Sequence, residues 1–152
     1  MISWERAENA GVLRHLSGGW DGTRIGPSAS PADVADPYMT LGTHPDVVER
    51  LWDELGGCLP EPCRWVVYGR PALVHPRSGI VFGFAGGTHT YALRLPPEER
   101  ARAVQAGARR EHTYGDGSRL DLDALGDAWV LGAWLAPEPE WCLAAYAHAG
   151  RA

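Results

Sequence analysis

The stretch WVVYGRPALVHPRSGIVFGFAGGTHTYALRL, residues 65–95, is four β-prone runs separated by turn residues. Trp65–Tyr68, Ala72–His75, Ile80–Phe84 and Thr88–Leu95 are rich in β-branched and aromatic side chains. Gly69-Arg70-Pro71, Pro76-Arg77-Ser78-Gly79 and Gly86-Gly87 interrupt them, and such residues close tight turns. A parallel crossover needs about a dozen residues, so these short links imply antiparallel neighbours. In the fourth run His89, Tyr91, Leu93 and Leu95 alternate with Thr88, Thr90 and Ala92. The first set is expected to face the core, with His89 on or near the buried face.

Helical patterns flank this block. Residues 3–16 predict a helix capped by Ser3, with Val12, Leu13 and Leu16 as its apolar stripe, stopped by Ser17-Gly18-Gly19. From Gly18 to about Tyr38 the chain is Gly-, Pro-, Ser- and Asp-rich, a long connection in which Trp20 and Tyr38 suggest local packing. Thr43–Leu55 predicts a second helix, with Thr43 and Asp46 as a capping pair and Pro45 in the first turn. Val47, Val48, Leu51, Trp52 and Leu55 form its inner face. A third helix runs from Pro97 to about Gly107, with Ala101, Val104 and Ala108 inward. His112–Tyr114 and Leu120–Leu122, either side of Gly115-Asp116-Gly117, form a hairpin or a loop. Trp129–Trp134 is a last strand. Pro139 opens a final helix, Glu140–Ala149, closed by Gly150. It is apolar nearly all round and therefore buried or covered by a partner.

The expectation is one α+β domain over residues 1–152. An N-terminal helix and long loop (1–40) precede a main body (41–150), in which an antiparallel sheet of four to six strands packs with three to four helices. At 152 residues, such a chain buries roughly 68–70% of its unfolded surface, enough for a core without staples.

Composition excludes several function classes. All 14 basic residues are Arg, Asn9 is the one asparagine, and the net charge is −5. That charge argues against a phosphate-backbone binder of nucleic acid. The basic run Arg100–Arg110 is interleaved with Glu98, Glu99 and Glu111 and fits a solvated helix face. Three cysteines, Cys58, Cys63 and Cys142, make a poor disulfide framework. The N-terminus lacks a signal-peptide pattern, and no apolar run approaches the ~20 residues of a membrane span. A soluble protein of a reducing, cytoplasmic compartment is expected.

The segments GRPALVHPRSGIVFGFAGGTHTYALRLPPEERARA (69–103) and LGDAWVLGAWLAPEPEWCLAAYAHA (125–149) together resemble the small bacterial YjbR-like and TfoX-N-terminal-like domains. The likeness lies in the order of Gly turn, aromatic-rich strand, Trp-bearing strand and closing helix, over about two-thirds of the chain. It implies a compact α+β fold whose relatives are mostly of unknown activity, some of them proposed to bind DNA or protein.

Candidate chemistry is sparse. Cys58 and Cys63 are one cysteine pair separated by Leu-Pro-Glu-Pro, while His44, His75, His89 and His112 lie elsewhere. Structural zinc uses two close ligand pairs, so no metal is expected, with Cys58 and Cys63 the only candidates. His75 and His89, near strand ends, are the catalytic candidates, since general acid–base work needs a positioned imidazole. Arg70, Arg77 and Trp20 are the ligand-binding candidates beside them. Neither a nucleophile elbow nor a phosphate loop is present: Ser28 and Ser30 follow no strand, and Gly83–Gly87 precedes a strand rather than a helix. Asp116, Asp121, Asp123 and Asp127 lack the spacing of a calcium loop. No cofactor is implied.

Two functional expectations follow. The first is a non-enzymatic interaction domain that self-associates as a homodimer through its C-terminal helix, motivated by that helix and by seven tryptophans. The alternative is a small enzyme or ligand sensor with a pocket built from His75, His89, Arg70 and Arg77, roofed by the loop around Trp20.

Overall fold

The computed structural model describes residues 1–18, 23, 26–32 and 43–152, so Trp20 and Tyr38 lie outside the described residues. The fold is α+β, with one six-stranded antiparallel sheet, a separate two-stranded ribbon and four α-helices among the described residues. The sheet is a meander of β1 (Ala29–Pro31), β2 (Arg64–Val67), β3 (Arg70–Val74), β4 (Val81–Ala85) and β5 (Thr90–Arg94). β8 (Trp129–Ala133) closes it beside β5, with Thr90 opposite Ala133 and Arg94 opposite Trp129. The first turn lies one residue earlier than expected. Tyr68 (φ 52°) and Gly69 (φ 74°) make a two-residue hairpin loop of the kind whose twist matches its strands. Arg70 and Pro71 already pair with Val67 and Val66. β1 was not foreseen. Its three residues, one of them a proline, sit at the sheet edge, where a missing N–H is tolerated.

Both faces of the sheet are buried. On one face lie α2 (Pro45–Glu49), its π-helical continuation Arg50–Leu55, α3 (Pro97–Gln105) and α4 (Pro139–Gly150). They enclose Leu73, Phe82, Tyr91, Leu93 and Val130. On the other, α1 (Ala7–Leu16) and the ribbon of β6 (Glu111–Thr113) and β7 (Arg119–Asp121) cover Ala72, Val74, Val81, Phe84, Ala92 and Leu131. Period-2 alternation therefore sorts side chains between two cores rather than between core and water. Trp52 and Trp129 are fully buried, one in each core, while Trp65 is half-buried.

The helices depart from expectation in specific ways. α1 begins at Ala7, not Ser3, because the Ser3 backbone is engaged elsewhere. Its N–H donates to Gly79 O (3.0 Å), and its carbonyl accepts from Asn9 Nδ2 (2.6 Å). The cap of α2 is His44, whose Nδ1 accepts from the Asp46 N–H (3.1 Å). In α3 the inward residue is Ala103, whereas Ala101 is exposed and Val104 is 44% exposed. The phase is set by the exit from the helix: Ala108 N–H returns to Ala103 O, and Arg109 bridges to Leu131 on β8. α4 packs its own inner face, Cys142, Ala145 and Ala149, against the first core, leaving Leu143 outward. No described helix is long and apolar enough to cross a membrane.

Candidate functional site

A meander places consecutive turns at opposite ends of its sheet, and this separates the sequence candidates. His75 and Arg77 lie in the β3–β4 turn. Arg70 and His89 lie at the other end, beyond the full length of β4, roughly 17 Å for five residues. The pocket of His75, His89, Arg70 and Arg77 therefore does not form. His89 is also not on the buried face: β5 starts at Thr90, and His89 is exposed in the turn before it.

Around His75 the groups are mutually satisfied. The ring is fully buried, stacked on Tyr146 (4.9 Å between centroids), and its Nδ1 accepts from the N–H groups of Arg77 (3.2 Å) and Ser78 (3.3 Å). Arg77 donates to Glu61 (2.6 Å), and the Tyr146 hydroxyl donates to the same carboxylate. This network ties α4 to the β3–β4 turn and to the loop before β2. Burial first, then the Arg77 guanidinium, lowers the His75 pKa below its ordinary 6.5, opposed by Glu61. Burial likewise lowers that of His148 on α4, helped by Arg94 and Arg151. A histidine depressed in the folded state takes up its proton more readily unfolded, so stability falls as pH drops below 6.5 towards the folded value. Thermal midpoints between pH 7 and 5 are expected to fall. The slope in His75→Gln should be shallower but not flat, because His148 remains. An unchanged slope would remove His75 from the account.

The other sequence candidates are also apart. Arg70 donates to Gly18 O (2.8 Å) and is partly buried. Cys58 is exposed, with its Sγ directed at the carbonyls of Leu55 and Pro139. Cys63 is buried, and burial above all, with Glu61 beside it, pushes its thiol up to about 12. Among the described residues no group of three His, Cys, Asp or Glu side chains is arranged to hold a metal.

A cleft of about 760 Å³ runs along β8 and the β4–β5 turn. Leu131, Gly132 and Ala133 of β8, with the adjoining Trp134, form its floor. Trp134 is pinned by its indole N–H on Gly87 O (3.2 Å) and by the Tyr91 ring at 4.9 Å. Arg109 enters from the bridge to β8, and Glu111 and His112 from β6. His112 stands 6.1 Å from His89 between ring centroids and edge-on to Tyr114, whose hydroxyl donates to Gly86 O. Arg50 and Glu54 of the π-helical segment also line the cleft. Thr90 belongs to the same wall. Its Oγ1 is buried and has no hydrogen-bond partner among the described residues.

Of the sequence candidates only His89 belongs to this cleft. His112, which sequence offers only as one of several scattered histidines, lines it as well. Arg50, Thr90 and Arg109 carry no local signal, because the cleft is assembled by one long-range bridge between Arg109 and Leu131. No family model matches the chain, and neither a curated protein nor a solved structure matches it.

Proposed function

We propose that this domain binds a small molecule in the cleft along β8, as a ligand sensor rather than an enzyme. One observation carries the reading. A cleft of about 760 Å³ gathers two imidazoles, two guanidiniums and two carboxylates around the pinned Trp134. Small-molecule sites have about 300–1,000 Å³ and combine an apolar wall with a few convergent polar groups. Binding is favoured over catalysis because a nucleophile would need an adjacent base and that base an orienting partner. The hydroxyls of Thr88 and Thr90 have no such arrangement with His89 or His112 among the described residues. Self-association through α4 has less support, since the inner face of that helix is occupied by the chain's own core.

The test is a fragment screen followed by amide and indole N–H spectra of the full chain. Bound fragments should shift the amides of Thr90, Gly132 and Ala133 together with the Trp134 indole N–H. Fragments that bind but perturb only residues remote from this set, or a diverse library with no binder, would overturn the proposal.

A further inference from the structure

We infer that the ligand of this cleft carries an oxyanion, a phosphate or a carboxylate, held between Arg109 and Arg50. The inference rests on the proposed binding role of the cleft. It starts from where the arginines find partners. Arg6, Arg64, Arg77, Arg102, Arg110 and Arg119 are each paired with a carboxylate. Arg70 and Arg100 donate to backbone carbonyls instead. Arg50 and Arg109 have no ion-pair partner among the described residues, and both line the cleft. Arg94 and Arg151 also lack an ion-pair partner among the described residues, so what sets Arg50 and Arg109 apart is their shared place in the cleft.

The balance of charge inside the cleft points the same way. Glu111 is engaged by Arg119, which leaves Glu54 against two guanidiniums. Planar guanidinium donors match carboxylate and phosphate oxygens in pairs, and a protein surface of opposite overall sign makes a local positive site selective. The backbone supplies an independent observation. Arg50 and Glu54 stand on a π-helical segment, Arg50–Leu55, that interrupts the helix begun by α2. Such widened turns are rare and concentrate at functional sites.

The probes are inorganic phosphate, pyrophosphate and citrate, titrated into the full chain beside neutral fragments. Binding is followed by thermal shift and by the Gly132, Ala133 and Trp134 resonances. Arg109→Gln and Arg50→Gln remove one charge each at exposed and half-buried positions, where folding is retained, as the unliganded midpoint checks. An anion is expected to stabilise the protein and shift the cleft resonances, with affinity falling about tenfold or more in each variant. Whether phosphate or citrate shows the stronger arginine-dependent effect identifies the oxyanion, and either supports the inference. Anions that bind wild type and both variants equally would overturn it. Neutral fragments that shift the cleft resonances while anions do not would also overturn it, leaving the binding reading intact. If no probe of either kind reaches the cleft, both fall.

Discussion

Asn9→Ala is expected to lower the unfolding free energy by about 3 kcal/mol, measured by urea denaturation. Asn9 is fully buried at the start of α1 and makes three hydrogen bonds. Its Nδ2 donates to Ser3 O (2.6 Å) and Gly79 O (2.9 Å), and its Oδ1 accepts from the Val81 N–H (2.9 Å). One amide thus joins the N-terminal segment, α1 and the first strand residue after the β3–β4 turn. Truncation leaves the Val81 N–H and the Ser3 carbonyl without this partner, while Gly79 O keeps the Ser3 N–H, and each buried orphan costs roughly 1–3 kcal/mol. The cost falls short of the full sum because water reaches Ser3, which is only partly buried. A single domain has about 5–15 kcal/mol in all, so the loss is a large share. Asn9→Asp separates hydrogen bonding from packing. It keeps the shape but turns two donor positions into acceptors facing carbonyls, and it should be no more stable than the alanine variant. An aspartate variant close to wild type, or an alanine variant costing under about 1 kcal/mol, would refute the account.

The same residue marks where sequence reasoning stops. The β2–β5 meander could be read from residues 65–95, because its turns are short and hydrophobic alternation is local information. Within a strand or two, the turn residues restrict the pairings to antiparallel ones. Asn9 contacts Gly79 and Val81 across about seventy positions, and no window along the chain relates them. The mistaken His75–His89 pocket has the opposite origin. Both residues lie near strand ends, but a meander reverses direction at each turn, so nearness in sequence puts them at opposite ends of β4. The cleft was hidden for the first reason, since Arg109 reaches β8 through a single bridge at Leu131. Alternation in β5 was legible, but not that Ala92 faces a second core. That face is covered by α1 and by the ribbon of β6 and β7, and the ribbon could equally have been a loop from its residues alone.

Gly132→Ala should cost about 2–3 kcal/mol, and its effect should reach the cleft. Gly132 lies opposite Tyr91 in the β5–β8 pair. A methyl group there would stand 2.6 Å from Tyr91 Cε2 and would overlap Cζ and the hydroxyl oxygen. The ring cannot yield cheaply. It is fully buried, packed against Trp134 at 4.9 Å, and its oxygen accepts the Glu138 N–H at 3.0 Å ahead of α4. Forcing atoms into such a core costs typically 1–3 kcal/mol. The displaced ring presses on Trp134, so the Trp134 indole resonance and the ligand affinity of the cleft should change together with stability. The steric account makes one demand that a general weakening of β8 does not. In a Tyr91→Leu background, where the overlapping atoms are gone, Gly132→Ala should cost much less than it does alone, a coupling between contacting residues that a double-mutant cycle measures directly. Equal costs in the two backgrounds would mean that the glycine is required by the strand itself. The wall shared by the sheet and the cleft would then not transmit a change in packing to the ligand site.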